Sequence, residues 1–156
     1  MATRGIEGVM TDMLTYLEAN MAAKLDDIDA RFGDGITLTD IAGWYRAQQR
    51  AIQAFPAVVM MAHNTRPVER GDAWLRGHHE IEIAVMATGQ DSEQLSQEVQ
   101  RYVLALLECL IDAESSAGWT IIHERFDADY DQIYTADDTF ITDARLMVTA
   151  SRIEAL

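Results

Sequence analysis

Three groups of residues in this sequence have types and spacings that could do chemistry. His78-His79-Glu80 sets two imidazoles beside a carboxylate, and both groups are good ligands for zinc or iron. The following run, Ile81-Glu82-Ile83-Ala84-Val85-Met86, alternates apolar and polar residues with the period of a strand. On a strand His78 and His79 point to opposite faces and cannot share one ion. His63 and His123 lie in no ligand-like motif, and no second histidine stands at the helical spacing of HExxH. Asp127, Asp129, Asp131 and Asp138 occupy the first, third, fifth and twelfth positions of a calcium-loop pattern. Gln132 replaces the turn glycine and Asp138 the bidentate glutamate, so a solvated acidic hairpin tip is the better reading. Cys109 has no partner for an intramolecular disulfide and lies within an apolar helical stripe, where a small core residue is expected. There is no GxSxG, no glycine-rich phosphate loop and no serine with a locally placed base. The expectation is therefore no catalytic residue, no metal and no cofactor, although paired carboxylates would leave no signature in so acidic a chain.

The elements that must carry these residues are plainer. Ile6, Val9, Met10, Met13, Leu14, Leu17 and Met21 follow the helical period, and Leu25, Ile28 and Phe32 can extend the stripe until Gly33-Asp34-Gly35 breaks it. Thr39 or Asp40 could cap a second helix carrying Ile41, Trp44, Tyr45 and Ile52. Phe55-Pro56 ends that regime, because the residue before proline is pushed out of the α region, and Ala57 to Ala62 reads as a strand. The segment from Asn64 to Gly77 is polar and broken by proline and glycine, a hairpin connection or a long loop. It gathers Arg66, Arg70 and Arg76 around Trp74, and tryptophan and arginine are enriched at interface hot spots. The strand from His78 passes through Gly89-Gln90-Asp91 into a helix bearing Leu95, Val99, Tyr102, Val103, Leu106, Leu107, Leu110 and Ile111. Asp91 is its expected N-cap and Gln94 a capping-box partner. Trp119 to Phe126 is a third strand, Asp127 to Asp138 an acidic connection, and Phe140 to Arg152 a final strand, the longest. The order implies a single α+β domain over residues 1–156, with a mostly antiparallel sheet of about four strands and two or three helices packed on one face.

The 156 residues suffice for one core of ordinary size. Twelve Lys and Arg against twenty-six Asp and Glu, a net charge of −14, leave little from which to build a phosphate-binding patch, so tight nucleic-acid binding is not expected. No apolar run reaches the roughly 20 residues of a bilayer span, and Met1 to Gly5 lacks the regions of a signal peptide, so a soluble protein in a reducing compartment is expected.

The whole order of elements over residues 6 to 153 resembles the tail terminator, or tail-completion, proteins of long-tailed bacteriophages. The segments Phe55-Pro56-Ala57-Val58-Val59 and Glu80-Ile81-Glu82-Ile83-Ala84-Val85, with Gly89-Gln90-Asp91, carry the likeness. It implies a homo-oligomeric ring, typically a hexamer, that caps the tail tube and joins it to the head connector. The implied partners are other copies of the chain, the tail tube protein and a head-completion or neck protein, with no membrane. The implied location is the tail or neck of a virion assembled in the bacterial cytoplasm. Such a protein has no catalytic residues, and an electronegative lumen would keep passing DNA from being held. Arg66, Arg70, Trp74, Arg76, Tyr130 and Tyr134 are the candidates for subunit or partner contacts. The stretch from Leu25 to Tyr45 exceeds what a minimal terminator needs. Two other readings remain: a phage neck or head-completion protein, and a small cytoplasmic enzyme or ligand-binding domain with an acidic pocket.

Overall fold

The computed structural model describes residues 5–46, 52, 54–114, 118–122, 127–131, 133–136 and 138–155, with Tyr134 and Ala136 described by their backbone alone. Helix α1 runs over Gly5–Phe32 and buries Val9, Met10, Met13, Leu14, Leu17, Met21, Leu25 and Ile28, one residue every three or four. Gly33 ends it in the left-handed region, φ 58°, and its N–H donates to the Asp29 carbonyl at 2.9 Å, which satisfies one of the carbonyls a helix end leaves free.

The segment after this turn departs from expectation. Residues 36–42 have no regular structure and Gly43–Arg46 form strand β1, where a helix capped at Thr39 or Asp40 was expected; residues 47–51 lie outside the described residues. β1 pairs in parallel with β2 (Ala57–Arg70), Trp44 opposite Val58 and Tyr45 opposite Val59. Two bonds tie the connection down: the Asp29 carboxylate accepts from the Leu38 N–H at 2.9 Å, and the Tyr102 hydroxyl donates to the Thr39 carbonyl at 2.7 Å. The stretch from Leu25 to Tyr45 is thus part of the core, in which Leu25, Ile28 and Leu38 are buried.

Strand β2 turns at Asp72-Ala73 into β3 (Trp74–Gly89), which leads to helix α2 (Ser92–Ala113). Asp91 is the N-cap of α2 and accepts from the Gln94 N–H at 2.9 Å. The reciprocal bond of a capping box, from the Asp91 N–H to Gln94 Oε1, is not found among the described residues, and Gln94 Nε2 donates to Glu98 at 2.7 Å. The chain continues through β4 (Thr120–Ile121), β5 (Asp127–Tyr130) and β6 (Tyr134–Ala136) to β7 (Thr139–Ala155), the longest strand at 17 residues.

The sheet has seven strands rather than about four, ordered β1-β2-β3-β7-β4, with β5 and β6 also on β7. The three short strands pair antiparallel with successive stretches of β7 and together make one interrupted outer strand. The segment expected as an acidic connection therefore holds two strands, and of the strand expected over Trp119 to Phe126 only Thr120–Ile121 is formed among the described residues. Apart from β1 every pairing is antiparallel, so this is an α+β fold with a mixed, largely antiparallel sheet.

Register decides which side chains meet the helices. Met60, Ile83 and Leu146 form one row across β2, β3 and β7, and Val58, Val85 and Ala144 form another. All six lie in one core with the apolar stripes of both helices, so α1 and α2 share this face. Between the helices, Lys24 bonds Asp112 at 2.9 Å and Arg31 bonds Glu108 at 2.7 Å. The Arg31 guanidinium holds the Glu108 carboxyl below its ordinary range, with Lys24 adding to the effect. No helix among the described residues is long and apolar enough to cross a membrane.

Candidate functional site

The sheet positions the candidate residues on two separate surfaces. The first is an arm. From Ala62 to Arg70 every residue of β2 is exposed, whereas the β3 residues opposite are half-buried or buried and pair on their other side with β7. Register shifts at Ala62/Asn64 and Pro67/Glu69 twist the pairing, and Val68 at the second is 52% exposed. Arg66 pairs with Glu80 at 3.4 Å and Arg76 with Glu69 at 3.4 Å, both at the surface, where such pairs contribute little. Arg70 has no ion pair among the described residues. Trp74 is half-buried because its indole lies over Gly71: a Cβ added there would stand 2.2 Å from Nε1. Gly71→Ala is therefore expected to unseat the indole, read as a shift of the Trp74 Nε1–H resonance while the resonance of buried Trp119 holds still.

Arg66, Arg70, Trp74 and Arg76 thus share one hairpin, Arg70 on the helix-bearing face and the other three on the face away from the helices. Tyr130 is not among them. It lies on β5, across β3 and β7 from the arm, and is 52% exposed. The Tyr134 backbone pairs with Ile141 on the same side of the sheet as Tyr130.

The second surface is the outer edge formed by β5 and the hairpin that follows it. Residues 127 to 138 carry five aspartates and no lysine or arginine. Asp127 pairs across from Met147 and Asp129 from Arg145, which places both aspartates on the face away from the helices. Asp131 and Asp143 face each other there with Arg145 between them, at 3.6 Å and 3.2 Å. Burial, then the hydrogen bond from Asp131, raises the Asp143 carboxyl above its ordinary value. Among the described residues no group of three or more His, Cys, Asp or Glu could hold a metal ion.

The histidines divide as a strand requires. His78 faces away from the helices with Arg66 and Ser151, whereas His79 is 3% exposed beneath them and shares a hydrogen bond of 3.1 Å between Nδ1 and the Thr65 hydroxyl. His63 is exposed on the arm, and His123 lies outside the described residues. The His79 Nε2 is buried without a hydrogen-bond partner among the described residues. Burial lowers its pKa from the ordinary 6.5, Arg152 and His78 lower it further, and Glu154 opposes them. The unfolded imidazole takes up a proton below about pH 6.5 while the folded one resists, so the folded state loses stability as pH falls through 6.5 and none above it. Urea midpoints at pH 7.5 and pH 5.5 are expected to fall further for the native chain than for His79→Gln. Sequence reasoning separated the two imidazoles but had no signal for this burial.

Two other features have chemical side chains. Cys109 is buried in α2, and burial raises its thiol to about 11, so the reactive thiolate is disfavoured. A cleft of about 510 Å³ is lined by Phe32, Asp34, Gln97, Gln100, Arg101 and Leu104. Its one carboxylate and one guanidinium are bonded to each other, Arg101 Nη1 to Asp34 at 3.1 Å with a second bond from Nη2, and Arg101 lies 4.1 Å over the Phe32 ring. The sequence reading did not single out this pair; an arginine three or four residues from apolar positions on α2 is not by itself a signal of burial.

No protein-family model matches the chain, and no curated protein matches it. Among solved structures it is similar to a chain of one described as the virion of native gene transfer agent (GTA) particle. The two are 12% identical over 86% of this chain and 94% of that chain, with a TM-score of 0.38. A likeness at that level assigns no function.

Proposed function

We propose that this chain is a structural virion protein, a tail terminator that forms a homo-oligomeric ring capping the tail tube of a phage-like particle and joining it to the head connector. The observation that carries this reading is the arm: β2 is exposed throughout from Ala62 to Arg70, an arginine-bearing edge suited to contact with other subunits. The order of elements, which resembles that of tail terminators, supports that station within the particle. The net charge of −14 agrees with a lumen through which DNA passes without being held.

The reading is tested by adding the purified protein to tail tube protein that is polymerising. Elongation should stop, with a ring visible at one tube end by electron microscopy. Binding to portal-bearing heads but not to tubes would instead identify a neck or head-completion protein.

A further inference from the structure

The two outer edges of the sheet carry opposite charge. The arm, residues 62 to 76, holds Arg66, Arg70 and Arg76 against Glu69 and Asp72, a net positive stretch in a chain of charge −14. The segment from 127 to 138 holds five aspartates and no cation. Among the described residues, β1 pairs with β2 only from Ala57 to Met60, so the rest of β2 pairs on its β3 side alone, and β5 pairs on its β7 side alone. Each edge thus presents backbone groups, beside Arg66, Glu69 and Arg70 on β2 and beside the aspartates on β5.

Strand direction and face are compatible as well. β2 and β7 are both antiparallel to β3 and so run the same way, while β5 is antiparallel to β7. A second copy in the same orientation, placed beside the first, meets β2 with β5 running antiparallel. Paired residues on adjacent strands share a face. Arg66, Asp127 and Asp129 all lie on the face away from the helices, whereas Arg70 and Tyr130 lie on the helix-bearing face. We propose that copies of this chain associate head to tail, the β2 arm of one against the β5 edge of the next, with Arg66 meeting Asp127 and Asp129.

This assignment rests on the ring reading above and names the surfaces that build the ring. A contact between two different patches is heterologous, so each copy offers one of each and the series closes when the rotation allows. Arg66 can change partners at little cost, because its pair with Glu80 is a surface pair. Pro67 and the two register shifts keep the exposed ladder short, which stops the arm from joining strands at random and leaves the choice of partner to the charges.

The test uses two full-length variants, R66E/R70E on the arm and D127K/D129K on the edge, each checked for native secondary structure by circular dichroism and sized by light scattering. Each alone should fall to the mass of a single chain. Mixed in equal amounts they should regain the native ring mass with the two variants alternating, because the reversed arm meets the reversed edge and the native arm meets the native edge. A variant that keeps the native ring mass, or folded variants that stay monomeric when mixed, would overturn the assignment and leave the ring reading standing. A native chain that is itself monomeric at the same concentration would overturn both.

Discussion

Tyr102→Ala is expected to lower the unfolding free energy by about 3–5 kcal/mol, the range for removing a buried aromatic ring. Tyr102 is 1% exposed and sits where α2 meets the connection from α1 to the sheet. Its ring packs in the core, and its hydroxyl is the only side-chain donor described for the Thr39 carbonyl. Burial raises the hydroxyl pKa, so it remains a donor throughout the accessible range. Tyr102→Phe keeps the ring and removes only the bond, which should cost about 1–2 kcal/mol. Urea denaturation of both variants separates packing from hydrogen bonding. Equal losses would mean that the bond, not the ring, holds the connection in place.

Ile83→Asp is expected to abolish cooperative folding. Ile83 is 0% exposed at the centre of the sheet, between Met60 and Leu146. Removing its side chain costs about 2–5 kcal/mol. Burying an unpaired carboxylate adds several kcal/mol more, roughly, and together these approach or exceed the total stability of about 5–15 kcal/mol typical of a domain. Glu82→Gln, one residue away on the opposite face, should stay within about 0.5 kcal/mol of the native chain. Thermal melts followed by circular dichroism test the pair, and a cooperative melt in Ile83→Asp would show that this row is not the buried centre of the sheet.

Periodicity made α1, β3, α2 and β7 legible, because each is long enough for its apolar pattern to choose between helix and strand. The segment from Ile36 to Ile52 was not legible for the same reason in reverse. Ile41, Trp44 and Tyr45 suit either period over so few residues, and Thr39 or Asp40 looks like a cap; pairing of Gly43–Arg46 with β2 decided for strand. Likewise Asp127-Ala128-Asp129-Tyr130 has little strand propensity of its own, and it is a strand because β7 presents an edge that needs a partner. Capping shows the same limit: Asp91 was legible as an acceptor, while the bond from Gln94 Nε2 to Glu98 one turn on was not.

Of the candidate contact residues, the sequence could group Arg66, Arg70, Trp74 and Arg76 because one hairpin holds them. Their relation to Tyr130 depends on the order β2-β3-β7-β5, which sequence proximity does not encode. That order sets the arm and the aspartate-bearing segment at opposite edges of the sheet. It also gives the arm a direction, because a copy can be added at β2 without blocking β5.

Native mass spectrometry of the purified chain over a range of concentrations tests the central claim, that this protein is a ring-forming assembly subunit, most directly. The account predicts a discrete homo-oligomer of ring size, a hexamer if it follows the tail terminators it resembles, in equilibrium with the single chain and without an open ladder of sizes. A chain that stays strictly monomeric at the highest concentration would contradict it.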